Sequence, residues 1–368
     1  MNKPIRHVLG ISGGKDSAAL AIYLKNKYPQ LDVDYYSSDT GKELDETYAL
    51  IDNLQIYLEK KITILKAADG NGLVPFDHFL KMYGGFLPST QARWCTKKLK
   101  LEPFEKYVGT DPVVSYVGIR GDEDREGYIS RKTNIQSIFP FRKNIWSEDV
   151  INKFLSNANI DKVISLSDKV DLGSRKNRII EILSKRMDLG FTQPSKFSQL
   201  LDEGVRELNY LVFEFIRGTN YPLSKETNFP LLDNDEVIVR DDVFRILKES
   251  GVGVPGYYNK VGYSVGSKTG EYSRSRSGCF FCFYQQKIEW VWLYEQHPTL
   301  FKLAMEYEKD GYTWNQEESL EELILPERIN QIKSDFIKRQ ERSLNIKSPF
   351  LLDILEEEEG SGCASCFI

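Results

Sequence analysis

The sequence predicts an α/β protein: a parallel sheet wrapped by helices, interrupted by a helical insertion and followed by a helical, cysteine-bearing C-terminal lobe. Three observations predict it. Short apolar runs alternate with helix-period segments over residues 1–150, the rhythm of a parallel sheet with crossover helices. A glycine-containing turn, Ser12-Gly13-Gly14-Lys15-Asp16-Ser17, separates the first apolar run from the first helical one. From about residue 151 to 225 the text changes to short, charged, helix-like segments.

The strand candidates are His7–Ile11, Val33–Ser38, Lys61–Lys66 and Pro112–Val117, and the helical patterns are Ala18–Tyr28 (amphipathic, starting at about Ser17) and Asp45–Leu58. Ligands of open parallel sheets sit beyond the carboxyl ends of strands. The glycine turn, Asp39-Thr40-Gly41 and Gly118-Ile119-Arg120 all fall at such ends, so they are expected to converge on one crevice. Sheet-like text resumes near Asn228 with FPLLDNDEVIVRDDVFRILKESG, an echo of FPFRKNIWSEDVINKF, although no longer self-similarity supports a repeat. After Trp290 the chain reads as helices, then as a Glu356–Glu359 run and a small-residue tail with Cys363 and Cys366, expected to be mobile. The expected organisation is a nucleotide-binding α/β domain (1–150), a helical insertion (151–227), completion of that domain with a C-x-x-C pair (228–290) and a helical C-terminal region with the tail (291–368).

Composition narrows the function classes. With 368 residues, 41% of them hydrophobic, the chain can bury a core without disulfide staples. The net charge of −5 argues against a whole-protein nucleic-acid clamp and leaves room for a local basic surface. No stretch approaches the roughly 20 apolar residues that cross a bilayer, and the N-terminus enters the first strand without a signal-peptide pattern; a cytoplasmic protein away from membranes is expected. Five cysteines, one single and two C-x-x-C pairs, suit metal or redox chemistry in a reducing compartment. His7, His78 and His297 share no motif, which argues against a His-based zinc site or a Ser-His triad.

The glycine turn has the chemistry of an anion cradle. Gly13 and Gly14 let the backbone present bare N–H groups, and the following helix adds its positive end. Lys15 supplies a point charge, Asp16 a contact to Mg²⁺ or its water shell, and Ser12 and Ser17 supply hydroxyls. The glycines stand directly before the lysine, unlike G-x-x-x-x-G-K-[ST]. The loop resembles the PP-loop of ATP pyrophosphatases, which split ATP between the α and β phosphates and pass adenylate to an acceptor. The bland alternative is a turn that binds nothing.

With ISGGKDSAAL, SSDTGKELDETYALI, RWCTKKLKLEPFEKY, VGIRGDEDREGY and GYYNKVGYSVGSKTGEYSRSRSGCFFC in this order, the chain resembles the phosphoadenylyl-sulfate (PAPS) reductase superfamily. The resemblance covers residues 5–150 and 228–290 and is closest to the branch that modifies DNA with phosphorothioate, the Dnd-type and Ssp-type proteins. It implies a sheet of the adenine-nucleotide alpha-hydrolase (HUP-like, PP-loop) type. It also implies that Asp39, Thr40, Gly41, Glu46 and Thr47 border the adenosine or help form a homodimer, while Arg120 and Arg125 face phosphate or sulfate. For Asp39-Thr40-Gly41 the alternative is a plain turn with a helix cap. Reductases of the superfamily usually carry an eroded loop, whereas Lys15 and Asp16 are both present here. They also use a tail motif of glutamate, cysteine, glycine and histidine, and this tail has no histidine.

Cys95, Cys279 and Cys282 lie in segments that the resemblance brings to the nucleotide crevice. Three thiolates can hold a 4Fe-4S cluster with its fourth iron open to sulfide or persulfide, or completed by Cys363 or Cys366. The alternatives are a Zn²⁺ site or buried thiols among Phe280, Phe281 and Phe283. Lys97, Lys98, Arg274 and Arg276 place positive charge beside these segments and suit a phosphodiester acceptor, while Lys100 reads as solvating a helix face. Tyr257, Tyr258, Tyr263 and Tyr272 suit either base stacking or core packing. The expected function is an ATP- and Mg²⁺-dependent pyrophosphatase with Lys15, Asp16 and Arg120 as catalytic residues. It adenylates a nucleic-acid backbone oxygen and inserts sulfur through the cluster, with a cysteine desulfurase as donor and DNA as partner, in modification or phage defence. The alternatives are a PAPS or adenylyl-sulfate reductase forming sulfite, and a defence protein that senses ATP without turning it over.

Overall fold

Five parallel strands, β1 (Arg6–Gly10), β2 (Val33–Asp39), β3 (Ile62–Lys66), β4 (Val113–Tyr116) and β5 (Ile135–Ile138), form a sheet in the order β3-β2-β1-β4-β5. The computed structural model describes residues 4–68, 72–123, 130 and 132–345; Arg125, Cys363, Cys366 and the Glu356–Glu359 run lie outside the described residues. In the sheet Leu9 pairs with Tyr35 on one side and Tyr116 on the other. The chain moves outward through β2 and β3 and then returns to β4, so its direction of travel reverses beside β1. That reversal opens a crevice at the carboxyl ends of β1 and β4.

Strand β5 escapes the apolar-run criterion because Gln136 and Ser137 sit in its middle. Gln136 is nevertheless buried, and its Oε1 accepts from the Leu223 amide at 3.1 Å. Helix α1 (Lys15–Lys27) begins two residues before the expected Ser17, with Gly14 extended at its N-cap. Its residues from Lys15 to Leu24 are all buried rather than amphipathic, since the helix Arg240–Glu249 packs on it as well as α2 (Asp45–Leu58). In the helical stretch 94–108, Lys97–Leu101 form a π turn. Pro103 has no N–H for the Leu99 carbonyl, which slips the ladder.

Among the described residues the two largest apolar cores hold most of the elements. One runs from Leu9 to Val252 and takes in the inner faces of the helices between 148 and 217, including Leu211, Val212 and Ile216 of Val205–Arg217. The other joins Leu44, Phe76 and Trp94 to Phe281, Trp290 and Ile337.

The sheet-like text after Asn228 does not join the sheet. It folds as a 3-10 turn, Pro230–Asp233, followed by an extended stretch and the helix Arg240–Glu249. Ile238 donates its amide to the Phe141 carbonyl and accepts from Gly121, both at 3.0 Å, so single loops rather than a strand take up its backbone. The strands of this region come later, β6 (Val261–Val265) and β7 (Lys268–Tyr272), an antiparallel hairpin apart from the main sheet. Helices Lys287–Gln296, Pro298–Met305 and Pro326–Asn345 follow as expected. Among the described residues no helix is long and apolar enough to cross a membrane.

Candidate functional site

The glycine turn leaves β1 at the reversal point and enters α1 directly, which positions its residues. Gly13 adopts φ +72, and a Cβ there would lie 2.2 Å from the Thr47 Cγ2 of α2. Only glycine fits. Ser12 and Ser17 brace the turn: their hydroxyls lie 3.1 Å apart, the Ser12 amide donates to Ser17 Oγ at 3.1 Å, and Ser17 donates to the Gly14 carbonyl at 3.2 Å. On the β4 side, a Cβ on Gly118 would come within 3.0 Å of the Asp16 carbonyl oxygen. Small residues thus let the two loops touch where the sheet reverses.

Replacing Gly13 with alanine forces a left-handed conformation and a hard overlap, so unfolding free energy is expected to fall by about 2–4 kcal/mol. Urea titration reads it directly. Adding Thr47→Ser, which removes the offending methyl, should recover part of the loss; a Gly13→Ala protein as stable as the parent contradicts this geometry.

The charges of the crevice form one buried network. Lys15 Nζ sits 2.9 Å from Asp16 Oδ2, and Arg120 Nη1 sits 2.8 Å from Asp16 Oδ1. Arg120 also meets Asp122 at 2.9 Å and Glu123 at 2.6 Å. Burial alone would raise the Asp16 carboxyl, but the charges of Lys15 and Arg120 and their hydrogen bonds outweigh it and hold it below the ordinary range. For Lys15 burial wins and lowers the ammonium against the opposing pull of Asp16. Tyr258 closes the network: its hydroxyl accepts from the Lys15 amide at 3.4 Å, and its ring lies 5.1 Å from Lys15 Nζ. Both Asp16 oxygens are thus engaged by cations.

Asp39, Thr40 and Gly41 form a turn at the carboxyl end of β2. Asp39 Oδ1 accepts from the Gly41 amide at 2.8 Å and from Tyr48 at 3.0 Å. Thr40 is buried, and its hydroxyl lies 2.6 Å from Glu43 Oε1 and 3.2 Å from Cys279 Sγ. Glu43 is a site residue that sequence reading missed; its only signal was the T-x-x-E spacing of a capping box, Thr40 to Glu43. Burial pushes its carboxyl upward, helped by Asp39 and opposed by the Thr40 hydrogen bond. A bridge between Glu43 and Cys279, and a 2.9 Å bond from the Phe280 amide to the Lys42 carbonyl, fasten this turn to the cysteine loop. Of the other two residues expected at the adenosine, Thr47 is buried beneath Gly13, and Glu46 lies near Gly256, 3.9 Å from where its Cβ would stand.

Cys279 and Cys282 share that loop, the Cys282 amide donating to the Cys279 carbonyl at 3.0 Å. Cys95 packs into the same apolar core beside Trp94. All three are free thiols, yet among the described residues no three His, Cys, Asp or Glu side chains are grouped to hold a metal ion. The expected cluster or zinc ligand set is therefore not assembled by Cys95, Cys279 and Cys282. The Cys279 thiol lies within hydrogen-bond reach of Thr40, and burial, reinforced by the Glu43 charge, pushes it well above its ordinary value.

The basic residues separate into groups. Lys97 is exposed, and Lys98 pairs with Glu102 at 2.8 Å along its own helix. Lys100 is turned inward enough for its charge to act on Glu43 and Cys279, so it does more than solvate a helix face. Arg93 and Arg276 lie 5.4 and 5.8 Å from the centroid of Tyr284, a basic and aromatic surface beside Cys282. Arg274 is only 1% exposed and does not face a strand in solvent. Tyr257, Tyr258, Tyr263 and Tyr272 are buried, which settles them as core residues rather than a base-stacking surface.

Residues 6–169, which contain the loop, the crevice and the charge network, match the family described as phosphoadenosine phosphosulfate reductase domain. That segment is similar to a PAPS reductase domain. The remainder, with the cysteine loop and Arg274, lies outside that match. Curated relatives are similar over segments of comparable length. One is an uncharacterized protein of Methanocaldococcus jannaschii, 31% identical over 160 residues, covering 40% of this chain and 31% of the relative. Another is the uncharacterized nin region protein ORF290 of Escherichia phage lambda, 30% identical over 145 residues, covering 32% of this chain and 49% of the relative. A second Methanocaldococcus jannaschii protein, also uncharacterized, is 26% identical over 163 residues, covering 41% of this chain and 37% of the relative. The chain thus spans 31% to 49% of the length of these relatives. The five-stranded parallel sheet and its β1–β4 crevice fall within the segment that matches this family.

Proposed function

We propose that the crevice is an ATP pyrophosphatase site that adenylates a backbone oxygen of DNA, the first half of a sulfur-for-oxygen exchange. The complete loop carries this reading: Lys15 and Asp16 are both present at the start of α1, buried and paired at 2.9 Å, where reductases of the superfamily usually carry an eroded loop. A retained lysine at the helix N-terminus suits a pyrophosphate that must be stabilised as it leaves.

In the reaction a backbone phosphate oxygen attacks the α phosphorus of MgATP. The α–β bond breaks, pyrophosphate leaves with the bonding electron pair, and adenylate is joined to the strand. Lys15, the Gly13–Gly14 amides and the N-terminus of α1 stabilise the departing charge, while Asp16 holds Lys15 and Arg120 in place between turnovers. Positioning and anion stabilisation dominate such chemistry, so a shortage of histidines is no obstacle. Hydrosulfide then attacks the activated backbone phosphorus, a P–S bond forms, and AMP leaves. A cysteine desulfurase supplies that sulfur as a persulfide, and a thiol reductant releases it as hydrosulfide. The Arg93–Tyr284–Arg276 surface supports a phosphodiester acceptor.

Protein supplied with ATP, Mg²⁺, hydrosulfide and DNA is expected to yield sulfur-bearing dinucleotides on nuclease digestion and mass spectrometry. Unmodified DNA, together with sulfite formed from phosphoadenylyl sulfate and thioredoxin, would transfer the site to the reductase reading. ATP bound tightly with no AMP formed would make it a sensor.

A further inference from the structure

Arg274 is among the most deeply buried side chains of the protein, 1% exposed, yet its guanidinium is mostly unpartnered. Nη2 donates to the Cys279 carbonyl at 3.1 Å, while Nε and Nη1 have no acceptor. Buried cationic donors without acceptors are costly, and a fold that keeps them has a use for an anion. The surroundings point to where that anion sits. The Arg274 amide donates to the Tyr257 carbonyl at 2.9 Å, and the Tyr257 hydroxyl donates to the Gly13 carbonyl at 2.9 Å. Burial pushes the Tyr257 hydroxyl up to about 12, and the Arg274 charge acts on it in the opposite sense. Ser277, three residues on, lies over Gly14, with its Oγ 2.6 Å from where a Cβ would stand.

We propose that Arg274 is an anion-binding residue of the crevice, donating Nε–H and Nη1–H to a tetrahedral oxyanion held over Gly13 and Gly14. The inference rests on reading the loop as a phosphate site, and it adds a ligand contact from beyond the family-matched region. The oxyanion is the pyrophosphate end of a triphosphate or the sulfate end of a sulfonucleotide, which share this chemistry. Because the guanidinium also holds the Cys279 carbonyl, an occupied loop draws on the same side chain that fixes the cysteine loop.

Calorimetric titration of inorganic pyrophosphate, and separately of sulfate, into the parent, Arg274→Met and Arg274→Lys proteins tests this. Both variants are expected to bind the preferred anion roughly 10- to 100-fold more weakly. Ligand-free Arg274→Met should melt no lower than the parent, since a buried unpaired cation has gone. Tighter pyrophosphate binding by the parent identifies the triphosphate end and tighter sulfate binding the sulfonucleotide end, and either supports the proposal when the variants weaken it. Undiminished binding in Arg274→Met overturns it, as does parent-like binding in Arg274→Lys should the methionine variant not fold. A parent that binds neither anion sinks the reading of the loop and this inference with it. Weakened variants in a protein that forms no AMP from ATP leave Arg274 as proposed and remove only the pyrophosphatase reading.

Discussion

On the proposed pyrophosphatase reading, replacing Lys15 with alanine is expected to lower the formation of AMP and pyrophosphate from ATP by about 100- to 1,000-fold, with the protein still folded. The reason lies in the asymmetry of the network. Asp16 has two cationic partners, Lys15 at 2.9 Å and Arg120 at 2.8 Å, so the loss of Lys15 does not strand the carboxylate. What disappears is the one mobile cation at the start of α1 that can follow charge onto the leaving pyrophosphate. Turnover should collapse while the urea midpoint moves little. Equal pyrophosphate release in parent and variant would remove Lys15 from the chemistry.

Removing Asp16 acts on the other side of the balance. Asp16→Ala leaves Lys15 and Arg120 close together and deprived of their shared counter-charge in a buried setting, a change expected to cost about 3–5 kcal/mol. Asp16→Asn, which keeps the shape and one acceptor oxygen, should cost less. The pH dependence has a definite sign. The folded carboxyl is held below its ordinary value of 3.8, so the unfolded chain binds the proton more readily. The stabilisation from Asp16 is thus complete above the unfolded value and is lost as pH falls toward the lower folded one. Urea unfolding followed from neutral pH into that acid window should show a steeper fall for the parent than for Asp16→Asn. Parallel curves would contradict the network.

Much of this was legible in the sequence because the relevant signals are local. Strands β1 to β4 are short apolar runs set off by turns, and the Ser12–Ser17 loop joins a strand to a helix, so glycine freedom, charge and helix polarity coincide there. The features that were missed depend on what packs against a segment. α1 is buried on all sides only because a helix more than 200 residues away covers it. β5 conceals itself behind Gln136 and Ser137, and the EVIV stretch after Asn234 resembles a strand but has no sheet edge to join. At the site, Arg274 reads as a surface cation from its neighbours Ser273, Ser275 and Arg276, and tertiary burial alone reverses that. The three cysteines posed the same problem: spacing identified Cys279 and Cys282 as a pair, but whether Cys95 would join them depended on side-chain placement, and among the described residues no three potential ligands are grouped.

The central claim is that this loop directs cleavage between the α and β phosphates of ATP. Incubating the protein with Mg²⁺, DNA, hydrosulfide and ATP labelled at the α phosphate, then resolving the products, tests it most directly. Label recovered in AMP, with an equal amount of pyrophosphate released, is the predicted result. Label recovered in ADP, with inorganic phosphate as the co-product, would contradict it.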